Sequence, residues 1–294
     1  MADKNIQWFP GHMAKTMRLL EDNLKLCDMV LYVLDARIPE ASLNPALTAA
    51  LGGKPIVYLL NKSDLADPVV TARWVQRLST GGNTALSVNA TAKSGRRAIV
   101  QAATAAAQEK IDRRAAKGVK YLPKTMVVGI PNAGKSTIIN MLSGAAPTKT
   151  GDRPGVTRGK QWVKIGEQVE LLDMPGALPP KFDNQRLARH AAYVGSINDD
   201  VLDGTALAAA LIAEVHALYP FAIAGRYAFT PTGDAEADLA AVARARGFLL
   251  PGGVADIDRA ALAVIDDLRK GKLGRITFVT AYGGGSCLTT KKTT

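Results

Sequence analysis

GIPNAGKS, residues 129–136, is the stretch that decides how this chain folds. It matches the pattern G-x-x-x-x-G-K-[ST], follows the apolar run TMVVGI (125–130) and precedes the helix-like run STIINMLS (136–143). A strand, a glycine-rich loop and a helix in this order form a phosphate-binding loop, in which backbone N–H groups and the amino end of the helix face the phosphate. An ordinary glycine-rich turn is the alternative, and the complete pattern in this context argues against it.

The side chains of this loop have separate predicted roles. Lys135 would reach the β- and γ-phosphates of a nucleotide, and the Ser136 hydroxyl would ligate Mg²⁺. The predicted nucleotide-binding residues of the loop and of the following helix are Asn132, Ala133, Gly134, Lys135, Ser136 and Thr137.

Apolar, β-rich runs recur on both sides of the loop, with helix-like stretches between most of them. The runs cover residues 29–36, 55–61, 84–90, 125–130, 161–165 and 169–174. The helix-like stretches cover residues 13–27, 68–79, 94–116 and 135–143, and the alanine-rich bias of 102–118 indicates one long, partly exposed helix. This alternation predicts an α/β fold with a mostly parallel sheet and helices on both faces.

The sequence pattern changes after about residue 182, where alanine- and leucine-rich segments replace the strand-like runs. Helices are predicted at 185–197, 204–218, 234–246 and 257–270, and Asp256 or Asp258 would cap the last of them. We therefore expect two domains, an α/β domain over residues 1–181 and a small all-α domain over residues 182–294.

The composition of the 294 residues restricts the class of protein and the cellular compartment that fit this chain. The hydrophobic fraction of 47% is enough to build a core, yet the most apolar run, 205–218, is too short to span a membrane. The first residues lack the apolar segment of a secretory signal. Only Cys27 and Cys287 occur, far apart in the sequence, which fits neither a disulfide framework nor a zinc site. We expect a cytoplasmic monomer without a membrane partner.

The net charge of +11 lies entirely in the first part of the chain. Residues 1–181 carry 25 Lys and Arg against 14 Asp and Glu, whereas residues 182–294 carry 12 of each. A basic protein with solvated faces is one interpretation, and a contact surface for a polyanion such as nucleic acid is the other.

Two further motifs fit the phosphate side of a nucleotide site. DMPG (173–176) ends a strand-like run, so Asp173 would hold Mg²⁺ through water and the Gly176 amide would sense the γ-phosphate. Between this motif and the phosphate-binding loop, Thr157 is the candidate switch threonine, with its hydroxyl on Mg²⁺. A turn at Pro154 and Gly155 is the alternative interpretation of that stretch.

NKSD (61–64) ends the run PIVYLLN and suits the recognition of guanine. The Asp64 carboxylate can accept hydrogen bonds from guanine N1–H and the exocyclic amine, a donor pair that adenine lacks. Lys62 would lay its stem over the base and Asn61 would tie this loop to the phosphate-binding loop. The alternative is a strand-to-helix turn in which Ser63 or Asp64 caps the helix.

A second strand end offers the Ala90 amide to guanine O6. Asn89 precedes it, although Ser is the usual residue at that position. The predicted guanine-contacting residues are therefore Asn61, Lys62, Ser63, Asp64, Asn89 and Ala90.

The order of these motifs is reversed relative to an ordinary Ras-like GTPase, because NKSD precedes GIPNAGKS and DMPG comes last. This order predicts a circularly permuted Ras-like P-loop GTPase domain, which is allowed because the termini of a compact domain often lie close together. The new end opens after DMPG, so nucleotide state would act directly on the helical domain.

The chain resembles the YlqF/RbgA family of circularly permuted GTPases, the ribosome biogenesis GTPase A family. The resemblance rests on QWFPGHMAK (7–15), LDARIPEASLNP (34–45), NKSDL, GIPNAGKSTIIN, TGDRPGVTRGKQWVKIG, LLDMPGALPPKF and RKGKLGRITF, and covers nearly the whole chain. It implies GTP hydrolysis to GDP in late assembly of the large ribosomal subunit, stimulated by the particle, with ribosomal RNA and ribosomal proteins as partners.

Three basic clusters would contact the RNA. Residues 110–124 hold six basic residues and one acid, residues 149–164 five and one, and residues 269–275 four and none. A solvated helix face is the alternative for the first cluster. The second surrounds Thr157, which bound RNA would order.

The resemblance also assigns a role to His12. The glutamine that orients the attacking water in Ras-like enzymes is replaced by Ala177, followed by Leu178. The family places a histidine of its PGH segment in that role, and His12 matches it, with Gly11 giving its loop freedom to swing. A histidine that caps the helix beginning near Met13 is the alternative. The resemblance further implies K⁺ at Asn132.

Two other functions stay open on the sequence alone. One is a nucleotide-gated switch that binds RNA or protein, in which hydrolysis merely resets binding. The other is a permuted GTPase of small-subunit assembly.

Overall fold

The structure is a computed structural model that describes residues 10–92, 95–144, 161–179, 182 and 184–279, without the side chains of residues 10–14 and 161. Its centre is one six-stranded sheet in the order β3-β2-β1-β4-β6-β5, in which only β5 runs antiparallel to its neighbour. The strands are β1 (Met29–Asp35), β2 (Ile56–Asn61), β3 (Thr84–Ser87), β4 (Lys124–Gly129), β5 (Gln161–Ile165) and β6 (Val169–Asp173). All six predicted strands and the mostly parallel arrangement are confirmed.

Seven helices accompany the strands among the described residues. They are α1 (Pro10–Leu24), α2 (Pro39–Ser42), α3 (Pro45–Ala50), α4 (Pro68–Leu78), α5 (Arg96–Ala106), α6 (Gln108–Ala115) and α7 (Lys135–Ser143). The helical part of the chain contains α8 (Gln185–Tyr193), a 3₁₀ turn (Asp199–Val201), α9 (Gly204–Leu218), α10 (Pro220–Tyr227), α11 (Ala235–Arg246) and α12 (Ile257–Arg269).

The single helix predicted over 94–116 is wrong, because the chain breaks at Ala107 into α5 and α6. Helix α5 buries Ile99, Val100 and Ala103, whereas α6 has no buried residue. Only the first half therefore has a buried apolar face against the sheet, whereas the second half is a separate, mostly exposed helix that packs on the apolar cluster only through the partly buried Ile111.

The sequence interpretation missed α2, α3 and α10. Each begins at a proline, and each is only four to eight residues long. Proline is favoured in the first turn of a helix because its φ angle is already helical and its missing N–H is not needed there. Such prolines start helices here, although they look like breaks in a periodic pattern.

Both faces of the sheet are covered, as predicted. Along β1, Val30, Tyr32 and Leu34 point to one face and Met29, Leu31 and Val33 to the other, which is the alternation of a strand. The first face packs against α1, α3 and α4. The second packs against α5 and α7 in an apolar cluster that continues into the helices from α8 to α12.

The predicted boundary at residues 181 and 182 therefore falls between β6 and α8, inside one continuous apolar cluster. The chain then returns from α12 to the sheet, where Phe278 N donates to Arg37 O at 2.7 Å.

Within the described ranges, no single helix is long and apolar enough to cross a membrane. Helices α9 and α10 reach that length and apolarity only when taken together, and they are bent by 120° at their junction.

Candidate nucleotide-binding site

The phosphate-binding loop leaves β4 at Gly129 and enters α7 at Lys135. Gly134 has φ +93°, and a Cβ there would lie 2.3 Å from Asn61 Nδ2. Asn132 also has a positive φ, 58°. Gly134 is therefore required both for its backbone conformation and for the close approach of the neighbouring loop.

The NKSD loop meets the phosphate-binding loop directly. Asn61 Nδ2 donates to Ala133 O at 2.9 Å, and Lys62 Nζ donates to Asn132 O at 2.6 Å. Strands β2 and β4 both lie beside β1, so their carboxyl ends meet at one edge of the sheet. Asn61 ties the two loops together in the structure, as the sequence predicts.

A cleft of about 240 Å³ opens at this edge. Both loops and the end of β3 contribute to its wall, which is formed by Asn61, Lys62, Asp64, Leu65, Asn89, Ala90, Thr91, Gly134, Thr137 and Arg269. Residues more than 70 positions apart in the sequence thus form one site.

Asp64 is available for a ligand in this cleft. Its side chain is exposed and makes no hydrogen bond to any residue that the structure describes. Helix α4 is capped instead by Asp67, whose carboxylate accepts from Val69 N at 2.8 Å and Val70 N at 3.1 Å. The interpretation of Asp64 or Ser63 as a helix cap is therefore wrong, and Ser63 Oγ donates to Val88 O at 2.9 Å.

The loop after β3 is shaped by its own polar groups. The Asn89 side-chain oxygen accepts from Thr91 N at 3.1 Å and Ala92 N at 3.2 Å. The Ala90 amide donates to Asn61 Oδ1 at 3.2 Å. Asn89 therefore stabilises the loop, and the Ala90 amide already has an acceptor where the sequence predicts guanine O6.

The phosphate side of the site contains a buried lysine. Lys135 Nζ donates to Ile130 O at 2.9 Å and to Gly129 O at 3.3 Å. Burial lowers the pKa of Lys135 to about 8, although the Asp173 charge opposes this shift.

Asp173 stands at the end of β6, beside Ser136 and Lys135. Burial raises the pKa of its carboxyl group, while the Lys135 ammonium and a hydrogen bond from the Ser136 hydroxyl oppose the rise. Its Oδ1 is buried and has no hydrogen-bond partner among the described residues. A buried oxygen of this kind beside a hydroxyl fits the water shell of a bound Mg²⁺.

The DMPG loop packs tightly on the phosphate-binding loop. A Cβ at Gly176 would lie 2.6 Å from Pro131 N, and Ala177 N donates to Gly129 O at 3.1 Å. Ala177 and Leu178 are both buried in apolar clusters. Neither side chain has a polar group that could orient a water molecule.

A buried ionic cluster behind Lys62 was missed by the sequence interpretation. The Arg37 guanidinium forks onto Asp35, with Nη2–Oδ2 at 2.7 Å and Nε–Oδ1 at 2.9 Å, and Lys62 Nζ lies 3.1 Å from Asp35 Oδ2. Burial alone would raise the pKa of Asp35, but the Arg37 and Lys62 charges hold it well below its usual range. The LDAR stretch was the available signal, and its role follows only from these contacts.

The helical part of the chain touches the phosphate-binding loop as well. Asn132 Nδ2 donates to Gly195 O at 2.6 Å, and Ser196 Oγ donates to Pro131 O at 2.8 Å. Asn132, the residue implied to bind K⁺, is therefore held by the turn after α8.

The four basic side chains of the cluster at 269–275 all have partners within the protein, although Lys270, Lys272 and Arg275 are exposed. Arg269 pairs with Asp199, Lys270 with Asp266, Lys272 with Asp267, and Arg275 with backbone carbonyls. The RNA contact of that cluster stays a prediction. In the cluster at 110–124, half of the six charges are likewise paired, Lys110 with Asp28, Arg113 with Glu109 and Lys120 with Glu167.

Two predicted residues cannot be assigned contacts. Thr157 lies outside the described residues, as does most of the cluster at 149–164. His12 lies in the first turn of α1, so the expected loop around Gly11 is helical from Pro10 onward, since proline suits a helix start. The His12 side chain lies outside the described part of the chain.

The fold and the site define a class of protein. A Ras-like sheet carries a phosphate-binding loop and a guanine-type NKSD loop in one cleft, with the strands in circularly permuted order. A family model described as 50S ribosome-binding GTPase matches residues 124–212. The chain is 42% identical over 276 residues to Ribosome biogenesis GTPase A of Priestia megaterium, which covers 93% of this chain and 96% of that protein.

Further relatives agree. The protein of the same name from Thermotoga maritima is 31% identical over 273 residues, covering 93% of this chain and 94% of its own length. GNP-bound YlqF from T. maritima has a TM-score of 0.63 at 27% identity, and GDP-bound YlqF one of 0.64 at 28%. Each covers 90% of this chain, which covers 97% and 100% of those chains. The chain belongs to the ribosome biogenesis GTPase A family, and it is a GTPase.

Proposed function

We propose that this GTPase acts in the assembly of the large ribosomal subunit and that the subunit stimulates its hydrolysis of GTP. The observation that carries the GTPase assignment is the contact of Asn61 with Ala133, which joins the base loop to the phosphate-binding loop in one cleft. The names of the relatives and the description of the matching family model point to the ribosome as the partner. Because that partner lies in the cytoplasm, we infer that this protein acts there too.

Guanine recognition falls to Asp64. Its free, exposed carboxylate in the cleft accepts the N1–H and exocyclic amine of the base, and no carboxylate can do the same for adenine. Lys62 covers the base with its stem while Asp35 and Asn132 O hold its ammonium group.

The phosphates lie on the backbone amides from Asn132 to Thr137, and Lys135 turns from the Gly129 and Ile130 carbonyls to the β- and γ-oxygens. Ser136 and Thr157 would hold Mg²⁺ directly and Asp173 through water. A bound Mg²⁺ would supply positive charge against the charge that develops on the phosphate oxygens during hydrolysis. K⁺ at Asn132 would use its Oδ1, because its Nδ2 donates to Gly195 O.

His12 orients the attacking water in this proposal. Ala177 and Leu178 are buried and apolar, so the usual position of the glutamine cannot supply that group. Helix α1 supports the role of His12, because its Met17 shares an apolar cluster with Met174 and Ala177 on one face of the sheet. His12 lies five residues before Met17, which is about 7.5 Å along the helix.

The direction of α1 gives further support. Only four residues separate its end from the start of β1, so helix and strand run in opposite directions. The start of α1 therefore points toward the carboxyl edge of the sheet, where the cleft lies.

The test is GTP turnover by the whole protein with and without purified large ribosomal subunits, with small subunits as the control. We expect stimulation by large subunits only, and a loss of 100-fold or more of the stimulated rate in His12→Ala, on the order of a general-base contribution. Nucleotide binding should be unchanged in that variant.

Stimulation by small subunits instead would support a role in small-subunit assembly. Full stimulated turnover in His12→Ala would leave a nucleotide-gated binding switch but would remove His12 from the mechanism.

A further inference from the structure

The segment after α12, residues 273–278, crosses the back of the NKSD loop; we call it the C-terminal strap. Arg275 Nη2 donates to Ser63 O at 3.0 Å and Arg275 Nε to Ala66 O at 2.9 Å. Between these two bonds, Ile276 N donates to Leu65 O at 3.1 Å. Three of the four carbonyls from Ser63 to Ala66, on both sides of Asp64, are thus bound by one short segment from the far end of the chain.

The strap is itself firmly attached. Leu273, Ile276 and Phe278 are buried, and Phe278 N donates to Arg37 O at 2.7 Å. Thr277 Oγ1 donates to Ala36 O at 3.2 Å and accepts from Asp67 N at 3.0 Å. The strap therefore holds the backbone of Arg275 in a fixed position.

Asp64 depends on this support. Its side chain has no hydrogen bond to a described residue, so its direction is set by the backbone from Ser63 to Ala66. A carboxylate that reads two donors on one edge of a base has to lie within about 0.5 Å of its productive position. A backbone carbonyl can only accept hydrogen bonds. The carbonyls of Ser63, Leu65 and Ala66 therefore need N–H donors, and the strap supplies them.

We propose that the C-terminal strap is part of the guanine-recognition site and that Arg275 is a positioning residue that aligns Asp64 with the base. The proposal rests on the role of Asp64 given above. The affinity for guanine nucleotides then depends on the C-terminal strap. By thermodynamic reciprocity, a bound guanine nucleotide stabilises the docked strap.

The first test compares Kd for GDP with Kd for inosine diphosphate, which lacks only the exocyclic amine. Their ratio measures how well Asp64 is aligned, because both nucleotides bear the same phosphates. In the unchanged protein we expect a ratio of about 10 to 150, the range for a hydrogen bond to a charged group. In Arg275→Met, which keeps the stem and loses both donors, we expect the ratio to fall about tenfold, with partial recovery in Arg275→Lys.

Two variants control this comparison. Lys270→Met removes a charge of the same basic cluster whose partner is Asp266, and it should leave the ratio unchanged. Asp64→Asn should bring the ratio close to one. An unchanged ratio in Asp64→Asn means that Asp64 does not read the base. A collapse there with an unchanged ratio in Arg275→Met overturns the role of the strap alone.

A second measurement needs no variant and decides the matter if Arg275→Met does not fold. Amide hydrogen exchange of the unchanged protein is followed with GDP and with ADP at the same concentration. We expect GDP, and not ADP, to slow exchange at Ile276 and Phe278. Protection by GDP of Ser63, whose amide donates to Val88 O, without protection of Ile276 would overturn the proposal.

Discussion

Lys135 is a buried cation on the phosphate side of the site. Its ammonium group is buried against the Gly129 and Ile130 carbonyls, and burial lowers its pKa to about 8. The phosphates of a bound nucleotide would restore the higher pKa of an ordinary lysine, because a nearby negative charge favours the protonated form.

We therefore predict that GDP binding weakens as the pH rises above about 8. Below that pH Lys135 is already protonated and affinity is constant. Above it, binding has to take up a proton, so Kd rises up to tenfold for each pH unit until the bound-state pKa is reached. Titration from pH 6.5 to 9.5, with calorimetry in two buffers to count protons, checks this. A Kd that is constant up to pH 9.5 would contradict it.

Asp64 is tested by a change of one atom. Asp64→Asn replaces an acceptor with a donor, so xanthosine triphosphate, which presents a carbonyl oxygen where guanine has its amine, should become the preferred nucleotide. We expect GTP affinity to fall on the order of 100-fold or more. Competition binding measures both nucleotides, with Lys270→Met, whose partner is Asp266, as the control. Unchanged GTP affinity in Asp64→Asn would remove Asp64 from the site.

At the scale of elements, most of the described helices begin where a local side chain or a proline satisfies the first turn, with α5, α6 and α7 as the exceptions. Helix α12 is capped by Asp256, whose carboxylate accepts from Arg259 N at 3.0 Å, while Asp258 accepts from the Thr205 hydroxyl. The sequence left the choice between these two acids open, and the backbone at Asp256, with φ −83° and ψ 91°, decides it.

Asp256→Ala should lower the free energy of unfolding by about 1 kcal/mol, the usual contribution of an N-cap. Asp258→Ala removes a first-turn charge and one exposed hydrogen bond, so about 0.5 kcal/mol is expected. Urea unfolding measures both, and neither change should alter Kd for GDP. Equal losses in the two variants would contradict the assignment of the cap.

At the scale of the whole molecule, the helical part and the sheet share one apolar cluster, and both loops of the cleft are bonded to residues that follow α8 or α12. Gly195 and Ser196 hold the phosphate-binding loop, and Arg275 holds the NKSD loop. The chain should accordingly unfold as one cooperative unit.

Saturating GDP should therefore stabilise the whole chain together. At 100 times Kd the stabilisation is about 2.7 kcal/mol, and it should appear as the upward shift of a single thermal transition. Calorimetry with ADP as the control checks this. Two transitions, of which GDP moves only one, would indicate that residues 182–294 form an independent domain.

The sequence by itself determined the six strands and the motif residues Asn61, Asp64, Gly134, Lys135 and Asp173, because each belongs to a short pattern whose geometry is local. Reversed motif order also sufficed for the circular permutation, since parallel strands bring their carboxyl ends to one edge whatever the order of the chain.

Only the tertiary structure decided where the remaining charges go. Arg275 lies 212 residues from Ser63 and appears in the sequence as part of a basic cluster, yet it is hydrogen-bonded to the NKSD loop. Arg37, Asp35 and Lys62 likewise form a buried ionic cluster that no spacing in the sequence predicts. Contacts between distant segments depend on how the whole chain packs, and a charged side chain carries no local signal of whether its partner is solvent, a nucleic acid or its own backbone.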